Sequence, residues 1–254
     1  MARNNINRRD FFCDFIKIGL TSSLYFLSNI SYPNKKNTNF YPEEEILGIK
    51  EPELCGEYFC LRNEPMEAFA EMAHLAEKEG IKLWCSSAYR SFVLQKNIWN
   101  GKYKQLKKNK LSAEEIIKDV TRFTSLPGTS RHHWGTDIDI VDALAYTPSQ
   151  PLSEEHFNVG GEYQYLKYWL DNNAHKFDFY EVYTNQKERT GFKYEPWHYS
   201  YKPLAKKFLP ILMEADLAKY SPLKECLGFE TMTKSFIDNY KSDFVMGINP
   251  VFLV

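Results

Sequence analysis

The sequence lacks several features that mark common functional classes. Its 254 residues carry 32 basic and 33 acidic side chains, so there is no basic excess of the kind that binds nucleic acid. No stretch reaches the roughly 20 uninterrupted apolar residues of a membrane-spanning helix. Internal repeats and low-complexity tracts are also missing. We therefore expect no nucleic-acid partner and no stable membrane span in the mature chain.

Cysteine is scarce, and its spacing excludes a cysteine-based metal or redox site. None of the five cysteines forms the CxxC pair typical of such sites. Cys55 and Cys60 are close enough in sequence to bridge across a turn, and an exported protein would permit it. Buried free thiols are the alternative, and the sequence leaves both open.

The first 32 residues have the pattern of an export signal. A basic segment containing Arg8 and Arg9 precedes an apolar stretch that extends to Leu27. The arginine pair before two phenylalanines resembles a twin-arginine signal. Asp14 and Lys17 interrupt the apolar stretch, which leaves an amphipathic helix packed on the domain as the alternative. We predict an exported protein of the periplasm or cell envelope.

Hydrophobic patterning predicts an α+β domain. The segment 136–141 alternates Asp137 and Asp139 with Ile138 and Ile140, which is typical of a half-buried strand with a carboxylate-bearing face. Strands and helices do not alternate as in a βαβ series, so a doubly wound sheet is disfavoured. Further strands are predicted at 81–85 and 192–201, and helices at 64–79, 92–104, 113–120, 164–176, 203–218 and 231–240.

Three segments carry residues capable of hydrolytic chemistry: 87–91 (SAYRS), 130–139 (SRHHWGTDID) and 195–198 (EPWH). A hydrolytic zinc needs three histidine or carboxylate ligands and an open position for water. A further carboxylate must take a proton from that water. The sequence has no HExxH, which excludes a thermolysin-like helical site. Residue types alone do not separate a metal site from ordinary buried or surface histidines.

In this order the three segments resemble the signature of the VanY-type D-alanyl-D-alanine carboxypeptidases, zinc peptidases of the lysostaphin and D-Ala-D-Ala metallopeptidase group. The pattern is SxYRS, then SxHxxGxAxD, then ExWH, and the similarity spans about Leu61 to Tyr201. The resemblance implies the α+β fold of these peptidases (hedgehog-like), a small, largely antiparallel sheet flanked by helices. The matching residues are Ser87, Tyr89, Arg90, Ser91, Ser130, His132, Gly135, Asp139, Glu195, Trp197 and His198.

The resemblance also implies roles for individual residues. His132, Asp139 and His198 would ligate Zn²⁺. Glu195 would be the general base that takes a proton from the zinc-bound water and passes it to the leaving amine. Arg90 would bind the substrate carboxylate or the oxyanion.

Other positions are assigned less directly. The resemblance places Ser130 at the C-terminal end of the substrate, and Gln95 and Tyr89 at the wall of the cleft. Asp137 departs from the pattern, because the family has alanine there. It would orient a ligand histidine, compete for the metal or change the substrate. His133 offers a second candidate ligand beside His132, and we interpret it as a surface residue or a neighbour of the ligands.

The function implied is zinc-dependent hydrolysis of a D-Ala-D-Ala bond in peptidoglycan stem peptides. The alternatives are a cell-wall endopeptidase with the same zinc site, of phage or remodelling type, and a catalytically silent zinc-containing wall-binding module. The predicted organisation is an export signal at 1–32, a linker or arm at 33–53, a zinc peptidase domain at 54–201 and a C-terminal helical extension at 202–254.

Overall fold

Four strands form one antiparallel sheet in the computed structural model, which describes residues 41–254. The sheet order is β1-β2-β4-β3, and each neighbouring pair is antiparallel. The predicted α+β class with a small antiparallel sheet is confirmed. The strands are β1 (Leu83–Ser87), β2 (Asp137–Asp142), β3 (Phe179–Glu181) and β4 (His198–Tyr201).

Seven α-helices occur in the described part of the chain: α1 (Glu43–Ile46), α2 (Asn63–Lys78), α3 (Phe92–Lys107), α4 (Ala113–Thr121), α5 (Gln164–Asn173), α6 (Lys202–Glu214) and α7 (Lys234–Tyr240). Short 3-10 turns lie at 131–134, 154–157, 174–177, 217–219, 221–225, 229–231 and 250–252, and a π turn at 241–245. Residues Tyr41–Val254 form one compact unit.

Helix starts follow local sequence closely. The Ser112 hydroxyl accepts a hydrogen bond from the Glu115 N–H, and the Glu115 carboxylate accepts one from the Ser112 N–H. This is the capping box that the sequence predicts for α4. Ser91 caps α3 in a similar way through the Leu94 N–H, which ends the SAYRS segment at a helix.

Two hydrophobic clusters form the core, and β2 lies between buried surfaces on both faces. Ile138 and Ile140 belong to the cluster that includes residues of α2 and α5. All six residues of β2 are buried, including Asp137 and Asp139. The predicted half-buried strand is therefore wrong in its exposure, because the carboxylate face is covered by the segments that build the site.

The predicted strand at 192–201 is longer than the real one, since β4 begins only at His198. Pro196 has no N–H to donate to a ladder, and the chain turns there instead. Ile46 and Leu47 precede the predicted domain start at residue 54 and have no exposed surface. The C-terminal part of the predicted 33–53 linker therefore packs into the core. The other predicted domain boundaries stay predictions.

The predicted export signal at residues 1–32, with its Arg8-Arg9 pair, lies outside the described residues. Within residues 41–254, no helix has the length and apolar character needed to cross a membrane. Four cysteines fall in this range, namely Cys55, Cys60, Cys85 and Cys226, and all are free thiols.

Candidate metal centre

The register of the sheet brings the three motifs together. Asp139 on β2 lies opposite His198 on β4, and Asp137 lies opposite Ser200. Side chains two residues apart in a strand share a face, so these four lie on the same side of the sheet. On the other edge of β2, Ser87 of the first motif pairs with Asp139. Residues far apart in sequence therefore meet at one point on the sheet.

His132 lies in the 3-10 turn that leads into β2. Its Nδ1 is 2.7 Å from the Ala88 carbonyl oxygen, which can only accept, so Nδ1 carries the hydrogen. The Nε2 lone pair then faces Asp139, whose Oδ2 is 3.4 Å away. The turn ends at Gly135 with φ of +67°, and a Cβ there would lie 2.8 Å from Leu54 Cδ2. This close approach explains the glycine of the SxHxxG motif.

A tight turn joins Glu195 to His198. The His198 N–H donates to the Glu195 carbonyl at 3.0 Å, which folds the segment back on itself around Pro196. Glu195 Oε2 consequently lies 3.3 Å from His198 Nδ1. The Glu195 side chain is 26% exposed, whereas that of His198 is 5% exposed. The spacing of ExWH thus places an accessible carboxylate beside a buried imidazole.

The three predicted ligands converge into one cluster that could hold a metal ion. One donor atom from each of His132, Asp139 and His198 lies within 4.8 Å of the other two. His198 Nδ1 is 3.4 Å from Asp139 Oδ1. Tetrahedral zinc with ligands at about 2.0–2.2 Å holds its donors roughly 3.3 Å apart. Asp139 Oδ1 is buried and has no hydrogen-bond partner among the described residues, and a bound cation would satisfy it. The donor set therefore fits zinc.

At Asp139 and His198, burial and the neighbouring charges shift the pKa in opposite directions. Burial alone would raise the pKa of Asp139, but the neighbouring His132 and His198 hold it below its usual value. Burial lowers the pKa of His132. Burial would also lower the pKa of His198, yet its hydrogen bonds to carboxylates, that to Asp137 first, raise this pKa to about 9. Because a metal ligand must be neutral imidazole, ion binding requires His198 to release its proton.

Backbone and side-chain hydrogen bonds hold Arg90 beside the 3-10 turn that carries His132. Its N–H donates to the His132 carbonyl at 3.0 Å. Its guanidinium donates to Ser87 Oγ at 3.0 Å and to Gln95 Oε1 at 2.8 Å. Gln95 in turn donates to the Ser125 carbonyl. Burial lowers the pKa of Arg90, but a guanidinium keeps its charge in proteins. The first motif therefore provides an oriented cation next to the ligands.

The other predicted substrate-contacting residues lie in the same segments. Ser130 is 1% exposed, and its carbonyl accepts the His133 N–H. Gln95 is also 1% exposed and is engaged with Arg90. The Tyr89 hydroxyl is buried without a hydrogen-bond partner among residues 41–254, and burial raises the pKa of Tyr89 to about 12. Their contact with a substrate stays a prediction.

His133 is fully buried, so its interpretation as a surface residue is wrong. Its Nδ1 is 2.5 Å from the Arg90 carbonyl, and its Nε2 accepts the Gly128 N–H at 3.2 Å. Burial lowers the pKa of His133 to about 3, which keeps the ring neutral. Both nitrogens are occupied by backbone groups. The His133 ring therefore joins two loops beside the site, and His132 stays the predicted ligand.

Sequence reasoning assigned no role to two residues that complete the site. Arg131 donates from Nε to Asp137 Oδ1 at 2.8 Å and from Nη2 to Ser200 Oγ at 2.8 Å. Ser200 carried a usable signal, because it follows His198 by two positions in a predicted strand and so shares its face. Arg131 carried none, since nothing in the sequence shows where its side chain turns.

The family model VanY, described as D-alanyl-D-alanine carboxypeptidase, matches residues 59–204, which is more than half of the chain. The chain belongs to the VanY family. The VanY match includes all three motifs, with Arg90, the three predicted ligands and Glu195, and it ends at the start of α6.

Individual proteins show the same relationship. YodJ of Bacillus subtilis (strain 168), a carboxypeptidase by name, is 31% identical over 158 residues, covering 62% of this chain and 51% of YodJ. A D-alanyl-D-alanine carboxypeptidase of Enterococcus faecalis is 28% identical over 128 residues, covering 50% of this chain and 42% of the enterococcal protein. The chain spans about half the length of the curated relatives it matches.

One solved structure that the chain matches is a mutant of the vancomycin resistance D,D-pentapeptidase VanY, from a VanB-type resistance cassette, in complex with Zn(II). It has a TM-score of 0.47 and 22% sequence identity to this chain, covering 63% of this chain and 83% of the solved one.

Proposed function

We propose that the protein is a zinc-dependent D-alanyl-D-alanine carboxypeptidase that acts on peptidoglycan stem peptides. The observation that supports this most is the convergence of His132, Asp139 and His198, where the buried Asp139 Oδ1 has no hydrogen-bond partner among residues 41–254. Two histidines and one carboxylate are a donor set of hydrolytic zinc enzymes. Membership of the VanY family supplies the reaction class.

The surrounding residues would each have a separate task in peptide hydrolysis. Zinc held by the three ligands would lower the pKa of water and polarise the scissile carbonyl. The Ala88 carbonyl fixes the His132 ring through Nδ1, which leaves Nε2 free to hold the ion. Glu195 is accessible and 3.3 Å from His198 Nδ1, so it would take the proton of the attacking water and deliver it to the departing amine.

Arg90 would recognise the end of the substrate. A guanidinium beside the ligands can pair with the free carboxylate of the terminal D-alanine or with the oxygen on which charge develops. Its contacts with Ser87 and Gln95 fix its direction before substrate binds, so less conformational entropy is lost on binding. A peptidoglycan substrate also agrees with the predicted export to the periplasm or cell envelope.

The proposal is tested by identifying the bond that is cut. Purified protein is incubated with stem pentapeptides ending in D-Ala-D-Ala and with digested peptidoglycan, and the products are analysed by mass spectrometry. We expect release of the terminal D-alanine, loss of this activity with a zinc chelator and recovery on adding zinc. Cleavage only at an internal bond would make the protein an endopeptidase. Zinc binding without any turnover would make it a binding module.

Replacing Arg90 by alanine should reduce activity on substrates with a free C-terminal carboxylate. Loss of a charge-assisted hydrogen bond costs about 1.5–3 kcal/mol, so we expect kcat/KM to fall roughly 10- to 100-fold. A substrate whose C-terminus is amidated should be affected much less. The measurement is kcat/KM of wild type and Arg90→Ala on both peptides, with zinc content checked in each.

Arg122→Ala is a matched control, because this arginine is exposed and, among residues 41–254, its ion pair is with the exposed Asp119. It should leave both rates unchanged. If Arg90→Ala lowered the two rates equally, the carboxylate contact would be mistaken and a role at the oxyanion would replace it.

A further inference from the structure

A second carboxylate, Asp137, lies two residues before the ligand Asp139 and has no exposed surface. Oδ1 accepts hydrogen bonds from Arg131 Nε at 2.8 Å and His198 Nε2 at 3.0 Å. Oδ2 accepts from Thr136 Oγ1 at 2.6 Å and Ser200 Oγ at 2.8 Å. A carboxylate has about four acceptor positions, so all are filled. Asp137 is therefore satisfied by protein groups and has no free lone pair for a metal.

The contact with Asp137 determines which nitrogen of His198 can bind a metal. A carboxylate only accepts, so His198 Nε2 carries a hydrogen in this contact. The free lone pair of the neutral ring is then on Nδ1. That atom lies 3.4 Å from Asp139 Oδ1, on the side where the other ligands converge. Asp137 thus fixes both the tautomer and the direction of the ring.

Arg131 is the counter-ion of the buried Asp137 carboxylate. Its guanidinium is buried, donates to Asp137 and Ser200, and stacks on the Trp134 ring at 4.4 Å and the Phe252 ring at 4.8 Å. A buried carboxylate without a counter-ion is strongly unfavourable. The pair therefore supplies hydrogen bonding to His198 with little added net charge. Phe252 lies beyond the region that matches the VanY family.

We propose that the Asp137–Arg131 pair is a positioning device that presents His198 to zinc through Nδ1. This inference rests on the proposed function, because it concerns the same zinc site. It also distinguishes this chain from the family pattern that it resembles, which has alanine at this position. Hydrogen-bonding partners of metal-bound histidines typically contribute 10- to 100-fold in metal affinity. Asp137 is thus a support for the third ligand.

The first test is zinc affinity, measured by competition with a chromophoric chelator. Asp137→Ala should weaken zinc binding by roughly 10- to 100-fold relative to wild type. Asp142→Ala is the matched control, because Asp142 is also a buried carboxylate of β2. Its side chain accepts hydrogen bonds from the backbone N–H groups of Lys82 and Leu144 at the other end of the strand. This control should bind zinc as wild type does.

The second test reports on the ring itself and separates positioning from general stability. Nitrogen-15 NMR of the zinc-loaded protein should show metal binding at His198 Nδ1 and a hydrogen on Nε2 that exchanges slowly with solvent. In Asp137→Ala this hydrogen should exchange faster. Asp137→Asn retains an oxygen that can accept from Nε2, so it should restore the slow exchange and part of the zinc affinity.

The outcomes are distinguishable. If wild type binds no zinc, the proposed function is wrong. If wild type binds zinc and Asp137→Ala matches it in affinity and in the His198 signals, only the positioning inference is wrong. Should Asp137→Ala not fold, Asp137→Asn decides the question: zinc affinity that is retained or lost together with the slow exchange supports the inference, and wild-type affinity with the slow exchange lost overturns it.

Discussion

Replacing Glu195 by glutamine should leave zinc bound and lower kcat/KM by roughly 100- to 10,000-fold, which is the usual contribution of a general base. Glutamine has the same size but cannot accept the proton of the attacking water. Glu195 retains solvent access, with a side chain that is 26% exposed, and its Oε2 lies 3.3 Å from His198 Nδ1. The measurement is D-alanine release from a stem pentapeptide, together with zinc content by mass spectrometry.

A suitable control for this substitution is Glu188→Gln, since Glu188 is exposed in the loop that precedes the same motif. It should be as active as wild type. If Glu195→Gln retained near-normal turnover with zinc bound, Glu195 would have no part in proton transfer, and another group would have to be the base.

Replacing His198 by alanine should abolish stoichiometric zinc binding and, with it, all measurable hydrolysis. Three protein ligands are the minimum for a hydrolytic zinc site, and the substitution leaves His132 and Asp139 alone. It also removes a hydrogen-bond partner of the buried Asp137. Zinc content after dialysis, measured by inductively coupled plasma mass spectrometry, should fall from about one ion per chain to near zero.

His175→Ala provides the comparison, because His175 is exposed on a 3-10 turn away from the three motifs. It should keep one zinc per chain. Unchanged zinc content in His198→Ala would show that the ligand set is wrong, even if activity were lost for another reason.

Local signals were sufficient to predict much of the fold. Ser112 and Glu115 predict the start of α4, because a capping box depends on residues only three apart. The alternation of Asp137 with Ile138 likewise gives the strand and its two faces. Exposure was predicted wrongly for this strand, because alternation shows which residues share a face and not what covers that face.

The ligand set was proposed by resemblance, and the geometry brings those residues together. Their surroundings could not be predicted, because they depend on contacts between distant segments. Arg131 meets Ser200 across 69 positions, and His133 meets Arg90 across 43. The role of Asp137 was left open for the same reason: orienting a histidine and binding a metal require the same residue type, and only the hydrogen bonds separate them.

The central claim, one zinc shared by His132, Asp139 and His198, is tested most directly by anomalous diffraction at the zinc edge from crystals of the zinc-loaded protein. We predict a single strong peak about 2.0–2.2 Å from His132 Nε2, an Asp139 carboxylate oxygen and His198 Nδ1. A peak at any other group of side chains, or none at these three when zinc is present in the crystals, would contradict the account.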